Sequence, residues 1–191
     1  IGVPLAAIAV EPGLIEREAR SSHRSLEETA RAHRMAALGQ TARAHQCSLI
    51  ALGHTADDQV ETMVMRFFQG SGARGLAGIR ARAGNVIRPL LECSRDEVMR
   101  FLRGRGLPCH TDSTNADRRF LRNRIRADLM PVLSTVFRGH RGALRSLSRK
   151  MSDLADFLDA ELERRDVWSQ DGAGRFFADV TAFRALPPAL R

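Results

Sequence analysis

The sequence predicts an α/β fold in which part of a parallel sheet (residues 1–132) is followed by a smaller all-helical domain (residues 133–191). Three observations support this prediction. Two short apolar runs, residues 3–10 and 48–52, have the length and composition of buried strands. Each is followed, after polar residues, by a segment with helical periodicity, so strand and helix alternate. Beyond Pro131, leucines spaced by three and four residues over a long charged stretch predict helix alone.

The composition is that of a globular protein with a basic surface. With 43% hydrophobic residues in a chain of 191, intrinsic disorder is excluded, and the longest apolar run, residues 3–10, is far shorter than the ~20 residues that cross a bilayer. The net charge of +8 favours a polyanionic partner, nucleic acid first, unless the cations are spread without a single basic face. Cys47, Cys93 and Cys109 form no C-x-x-C pair, which favours a reducing cytoplasm.

Two helix-cap signatures mark the starts of predicted helices in the first half of the chain. Ser25 and Glu28 form a capping box that starts an alanine-rich helix. Thr55 and Asp58 repeat that signature directly after a strand that Gly53 ends. The predicted elements are a strand over 3–10, a polar loop over 11–24, a helix over 26–45, a strand over 48–52 and a helix over 56–69. An apolar stripe at i, i+3, i+4, i+7 and i+8 marks the core face of the last helix: Val60, Met63, Val64, Phe67 and Phe68.

A polar cluster, GHTADDQVET, stands where the second strand meets this helix. His54, Asp58 and Glu61 fall at i, i+4 and i+7 on a helical wheel, beside the apolar stripe. Ligands of parallel sheets bind at the carboxyl ends of the strands, where helices begin. Two carboxylates there suit Mg²⁺ or an ammonium group, and an imidazole can orient them or relay a proton. The alternative is that Asp57 and Asp58 only cap the helix.

A glycine-rich segment, GSGARGLAG, follows. It contains a G-x-G-x-x-G pattern, but that pattern follows a helix rather than a strand, so it does not indicate dinucleotide binding. A flexible loop that carries Arg74, with Arg80 close behind, can approach a phosphate backbone. The alternative is a helix C-cap with a linker. The glycines are Gly70, Gly72, Gly75 and Gly78.

A second cluster, TDSTNADRRFLRNRIR, occupies residues 111–126. It comes after an extended segment at 86–91 and a helix that Ser94 and Glu97 cap, whose Val98, Phe101 and Leu102 we expect to face a core. Turn-forming residues fill its first half. In its second half Arg118, Arg122 and Arg126 recur every four residues and predict a cationic helix face. The alternative is a solvated amphipathic surface.

The C-terminal part predicts packing rather than chemistry. We expect Trp168, Phe176 and Phe177 to be core residues. Because the chain starts at Ile1 and stops at Arg191 without an end signal, we expect it to be an excerpt of a longer protein. The leucine series of the long helix comprises Leu144, Leu147, Met151, Leu154, Leu158 and Leu162.

In order and spacing, four segments of the chain resemble the tRNA(Ile)-lysidine synthetases, a family of PP-loop ATP pyrophosphatases. The segments are GHTADDQVETMVMRFFQGSGARGLAGI, RPLL, DSTNADRRFLRNRIR and LPPALR. The resemblance implies a Rossmann-like fold of the adenine nucleotide alpha hydrolase type. It also implies a ligase that uses ATP to adenylate the wobble cytidine of an isoleucine tRNA with a CAU anticodon, after which lysine displaces AMP at carbon 2 and gives lysidine.

The resemblance also implies roles for individual residues. By position, His54, Asp58, Glu61, Asn115 and Arg126 match the family's catalytic motifs, and Asp58 with Glu61 would hold Mg²⁺. The expected cofactors are ATP and Mg²⁺, and the expected partners are tRNA(Ile) and L-lysine in the cytoplasm, with no membrane; a homodimer is compatible with the sequence. We expect RNA contacts, weakened by salt, from Arg74, Arg80, Arg118 and Arg122.

The chain departs from the family pattern at two places. The family's Ser-Gly-Gly-x-Asp-Ser loop, which cradles ATP, occurs nowhere in these 191 residues, so we expect the first two strands to lie outside this sequence and this chain alone to bind ATP poorly. Thr55 stands where relatives commonly have a second histidine. The alternative function is a tRNA-binding remnant without catalysis, or a PP-loop relative with another tRNA-modifying chemistry. The coding sequence upstream of Ile1 distinguishes the two.

Overall fold

The computed structural model describes residues 3–109, 118, 120–165 and 167–190. The chain divides into two compact units, and neither is continuous in sequence. The first consists of Ile1–Thr55 with Ala81–Asn123, and the second of Ala56–Arg80 with Arg124–Arg191. Units of this kind do not test a single boundary between two successive domains, so the predicted division at residue 132 stays a prediction.

Helices dominate the described residues. A π-helical turn, Ile125–Leu129, joins α6 to α7, and a 3-10 turn spans Pro188–Leu190. The strands are β1 (Ile50–Ala51), β2 (Arg82–Ala83), β3 (Val86–Ile87), β4 (Trp168–Gln170) and β5 (Phe176–Ala178). The helices are α1 (Leu14–Ser22), α2 (Leu26–Ala44), α3 (Ala56–Phe68), α4 (Ala73–Leu76), α5 (Arg95–Gly104), α6 (Leu121–Arg124), α7 (Met130–Val136), α8 (His140–Arg164) and α9 (Val180–Ala185).

The first unit is built on a small mixed sheet with the strand order β1-β3-β2. β1 and β3 are parallel, with Ile50 opposite Val86, and β2 pairs antiparallel with β3. Ile50, Val86 and Ala42 of α2 form the buried core of this unit. The strand predicted over 48–52 is therefore present in its central residues, and its parallel partner is the segment predicted to be extended.

Two predictions at the start of the chain are wrong. Residues 3–10 form no strand and are exposed, because a doubly buried strand needs a hydrogen-bonded neighbour and none of the described strands pairs with it. The predicted loop over 11–24 contains α1. Its alanine, glutamates and arginines are good helix formers, Ala19 is buried, and Glu18 lies 2.7 Å from His33 of α2.

Both predicted capping boxes are confirmed. In α5 the Ser94 hydroxyl accepts from the Glu97 backbone N–H at 3.2 Å, and the Glu97 carboxylate accepts from the Ser94 N–H at 2.7 Å. In α2 the Glu28 carboxylate accepts hydrogen bonds from the N–H and the hydroxyl of Ser25, and these bonds lower the pKa of Glu28. Phe101, however, does not face a core. It is exposed, and the Arg105 guanidinium lies 5.2 Å from its ring centroid.

Replacement of Ser94 by Ala is expected to lower the free energy of unfolding by about 1 kcal/mol, because the orphan N–H groups of α5 lose their acceptor. Urea denaturation of the purified protein measures this change. The matched control is Ser146→Ala, which removes an exposed hydroxyl inside α8 and is expected to be neutral or slightly stabilising. Equal losses for both variants would contradict the capping role.

The second unit has a helical core. Val60 and Val64 of α3 pack with Ile125 of the π-helical turn and Met130 of α7. The long leucine-patterned helix is confirmed as α8.

The C-terminal part of the second unit differs from its prediction. Besides helices it contains the antiparallel hairpin β4-β5, so the region is not all-helical. Trp168, Phe176 and Phe177 lie on this hairpin and are exposed, which corrects the prediction that they are core residues. A two-stranded hairpin offers no interior of its own, and Trp168 only meets Phe183 edge-on at 6.1 Å.

Candidate active site

The first cluster of polar residues lies at the start of α3. The helix begins at Ala56, immediately after Thr55, where the cap signature predicts it. Asp57 and Asp58 occupy its first turn, where the positive end of the helix dipole favours carboxylates. His54 precedes the helix and belongs to the first unit, so the predicted i, i+4, i+7 column does not include it.

Glu61 and Arg126 form a bidentate ion pair in the second unit. Arg126 donates to the two carboxylate oxygens of Glu61 from Nε at 2.6 Å and from Nη2 at 2.8 Å. The Glu61 side chain is only 4% exposed, so this charge depends on its partner. Arg126 Nη2 also lies 3.6 Å from Asp58 Oδ1. Residues 65 positions apart in sequence are thus brought together.

The geometry of this pair leaves part of the Arg126 guanidinium available. Nε and Nη2 face Glu61, while Nη1 donates to none of the described residues. A guanidinium has five N–H donors in a planar fork, so Nη1 can bind an anion while Glu61 holds the plane. The hydrogen bonds to Glu61 raise the pKa of Arg126 above its already high usual value. Arg126 is therefore a fixed cation at every pH at which the protein is folded.

A π-helical turn carries Arg126. The Met130 N–H donates to the carbonyl of Ile125, five residues back, and Pro131 next to it has no N–H with which to continue an ordinary α-helical pattern. Such turns occur mostly as single insertions in helices, frequently at functional sites.

The structure does not place all three arginines of the predicted face on one helix. Arg118 precedes α6 as an exposed turn residue, and Arg122 lies in α6; both belong to the first unit, whereas Arg126 belongs to the second. The predicted single helix face with all three is therefore wrong. Asn115 lies outside the described residues.

The structure adds two contacts to α3 that sequence reasoning missed. Asp57 forms an ion pair with Arg141 of α8. Gln59 is buried, and its amide joins α8 to the glycine-rich segment. Its Nε2 donates to Ser148 Oγ at 2.6 Å and to the Ala77 carbonyl at 3.3 Å, and its Oε1 accepts from the Ile79 N–H at 2.6 Å. The only sequence signal for the role of Gln59 was its position beside Val60, a residue of the apolar stripe.

The glycine-rich segment is more ordered than a flexible loop. It contains the short helix α4, which packs on α3 and α8. Its predicted RNA-binding arginines pair with carboxylates of α8: Arg74 with Asp159, and Arg80 Nη2 with Asp156 at 2.7 Å. Contact with RNA stays a prediction for both, and it would have to compete with these ion pairs.

Replacement of Gly78 by Ala is expected to destabilise the protein by about 2–3 kcal/mol. Gly78 has a φ of +68°, and a Cβ there would lie 2.8 Å from Gln59 Oε1, so the buried amide would have to move from its partners. Gly70→Ala is the control. Its φ is +71° with nothing within 4 Å of the added Cβ, so it is expected to cost only about 1–2 kcal/mol of backbone strain. Thermal unfolding of both variants measures the difference, and equal losses would contradict the role of Gln59.

The described carboxylates do not fit a magnesium site as they stand. Both oxygens of Glu61 are used by Arg126, and Asp57 is paired with Arg141. Within the described part of the chain, no group of three or more His, Cys, Asp or Glu side chains is gathered as a metal site requires. The roles of Asp58 and Glu61 as Mg²⁺ ligands stay a prediction that this arrangement does not support.

Comparison with known proteins gives one matching family and many curated relatives. A family described as the PP-loop domain matches residues 6–133. The tRNA(Ile)-lysidine synthase of Borreliella burgdorferi is 43% identical over 134 residues, which is 70% of this chain and 30% of that protein. The synthase of Treponema pallidum is 36% identical over 189 residues, 99% of this chain and 38% of that protein. The synthase of Thermobifida fusca is 38% identical over 166 residues, 86% of this chain and 51% of that protein.

The chain thus spans between 30% and 51% of the length of these relatives. Among solved structures, the U34-tRNA thiolase NcsA from Methanococcus maripaludis is similar at 18% identity with a TM-score of 0.46, covering 64% of this chain and 43% of that chain. In the described segments, no helix combines the length and apolarity needed to span a bilayer.

Proposed function

Because this chain belongs to the PP-loop domain family, we propose that it carries part of the active site of an enzyme that modifies a tRNA base at the expense of ATP. The observation that carries the proposal is the Glu61–Arg126 pair with Asp58 beside it. It places a fixed cation next to carboxylates within the matched residues. ATP would supply the leaving group that activates the base.

We propose the specific reaction from the names of the relatives, which are tRNA(Ile)-lysidine synthases. ATP adenylates the wobble cytidine of an isoleucine tRNA with a CAU anticodon and releases pyrophosphate. The lysine amine then attacks carbon 2 of the base and loses a proton, and AMP leaves to give lysidine. The ligands would be ATP, L-lysine and tRNA(Ile), and the reaction would take place in the cytoplasm.

Each described residue has a chemical task in this proposal. Arg126 Nη1 stabilises the negative charge that shifts on the phosphate during adenylation, and Glu61 acts as a positioning residue that holds the guanidinium plane. Asp58 lies 3.6 Å from Arg126 Nη2 and would bind the ammonium group of lysine or accept a proton from the attacking amine. His54 and Asn115 are proposed as catalytic residues from their sequence positions alone.

The test is incubation of the full-length gene product with ATP, labelled lysine and tRNA transcripts. We expect label in the tRNA only when ATP is present and the anticodon is CAU, with one AMP released per lysine incorporated. Transcripts with a changed wobble base are the control. ATP-dependent modification without lysine would indicate a PP-loop relative with another chemistry. Binding of tRNA with no modification would indicate a remnant that only binds.

A further inference from the structure

An apolar groove of about 550 Å³ opens on the second unit, next to the candidate active site. It lies between the end of α3, α7 and the start of α8, and Val64, Leu133 and Leu144 line it together with phenylalanine rings. Val64 is one turn of α3 beyond Glu61. Since a helix rises 1.5 Å per residue, the groove starts roughly 5 Å along the axis from the Glu61–Arg126 pair.

Three phenylalanines at this groove are exposed although they belong to an apolar face. The exposed fractions are 60% for Phe67, 74% for Phe68 and 61% for Phe137. The rings of Phe67 and Phe68 meet edge to face, with centroids 5.4 Å apart. Single exposed hydrophobic residues are common on protein surfaces, but exposed aromatic residues that lie together mark an interaction site.

One buried polar atom adds to this apolar lining. His140 also lines the groove and is 8% exposed. Its Nδ1 lies 2.9 Å from the Phe137 carbonyl, which can only accept, so Nδ1 carries the proton. In the neutral ring Nε2 is therefore an acceptor, and it has no hydrogen-bond partner among the described residues. A ligand with an N–H group would satisfy it.

The charge around the groove favours an anionic ligand. The residues that line it come from two stretches of the second unit, 64–68 and 133–144, which contain no Asp or Glu. These stretches carry three arginines, of which Arg141 is already paired with Asp57. Exposed Arg66 and Arg138 directly adjoin Phe67 and Phe137 in sequence. Aromatic faces beside cations are how proteins bind single-stranded nucleic acid, because any base can stack while the cations follow the backbone.

We propose that this groove binds an unpaired base of an RNA strand, stacked on the ring of Phe68 beside the perpendicular ring of Phe67, with His140 Nε2 accepting from an N–H group of the base. The proposal rests on the proposed function for the source of the strand, a tRNA. An RNA strand carries a phosphate for every base, so it can pair with the exposed Arg66 and Arg138 while a base fills the apolar groove.

The test uses fluorescence of a Phe68→Trp variant of the full-length protein. The probe is a single-stranded RNA heptamer, and a heptamer of the same length with abasic sites is its control. We expect the heptamer to quench the new tryptophan emission and the abasic strand not to, because stacking needs a base. Phe176→Trp is the matched protein control. Phe176 is 71% exposed, close to the 74% of Phe68, but it lies on the C-terminal hairpin, and no quenching is expected there.

A second measurement uses substitutions that remove the ring. Phe68→Ala is expected to weaken tRNA binding about tenfold, since one stacked base contributes on that order. The control Phe101→Ala removes a ring that is 59% exposed and outside the groove, and it should leave the dissociation constant unchanged. Both changes are at exposed positions, so both variants are expected to fold.

Three outcomes would overturn the proposal. Equal quenching by intact and abasic strands would show that only the phosphates bind. A blue-shifted emission of the Phe68→Trp variant that RNA does not change would show that another protein segment covers the groove. A blue shift that grows with protein concentration would show a second copy there. Quenching needs neither ATP nor lysine, so it would persist if the proposed reaction were wrong, and lysine incorporation without quenching would reject the groove alone.

Discussion

Replacement of Arg126 by Ala is expected to lower the free energy of unfolding by about 3 kcal/mol, which corresponds to a fall of about 6–12 °C in Tm. The reason is the Glu61 carboxylate, which is 4% exposed and receives both hydrogen bonds from this one guanidinium. Without Arg126 the buried carboxylate would lose both of these charge-assisted hydrogen bonds. Urea and thermal denaturation of the purified protein measure the loss.

Two further variants distinguish this explanation from a general effect of losing an arginine. Arg141→Ala removes an ion pair of the same helical unit, but the Arg141 side chain is half exposed, so the expected loss is about 1 kcal/mol or less. Replacing both partners, with Glu61→Leu and Arg126→Met, removes the buried charge together with its counterion. The double variant is expected to be more stable than Arg126→Ala. A double variant less stable than Arg126→Ala would contradict the account.

Local sequence signals were sufficient where a helix is defined by its cap and its apolar stripe. Thr55, the stripe from Val60 to Val64 and the capping box at Ser94 identified α3 and α5 correctly. The same stripe did not reveal that Phe67 and Phe68 are exposed. Periodicity shows which residues lie on one face of a helix, but it does not show how far along that face the neighbouring helices extend.

The parts that sequence reasoning missed depend on distant contacts. The partners of Gln59 lie 18, 20 and 89 positions away, so nothing local distinguished it from a solvated glutamine. The strand predicted over 3–10 failed for the same reason, because an apolar run becomes a strand only when another strand pairs with it. The π-helical turn at Arg126 had no sequence signal other than Pro131.

The second large expected effect is that of replacing Asp58, and it is an effect on the reaction rate rather than on stability. Its carboxylate lies 3.6 Å from Arg126 Nη2, in the first turn of α3, and it is the acidic group proposed to receive lysine. Asp58→Asn preserves the shape of the side chain and removes its charge. Loss of one such group from a reacting centre typically lowers the rate by about 100-fold or more.

The neighbouring Asp57 is the matched control. It stands on the same turn of α3 but pairs with the half-exposed Arg141, so Asp57→Asn is expected to change the rate by no more than about threefold. Neither Asp57 nor Asp58 lines the apolar groove, so tRNA affinity is expected to stay unchanged in both variants.

The rate of lysine incorporation into a CAU-anticodon tRNA under single-turnover conditions, at saturating tRNA, therefore tests the proposed active site most directly. We predict that full-length protein with Asp58→Asn falls at least about 100-fold below the parent, while Asp57→Asn stays close to it. An Asp58→Asn variant that retains the parent rate, or an Asp57→Asn variant that loses as much, would contradict the assignment of the chemistry to the Asp58, Glu61 and Arg126 cluster.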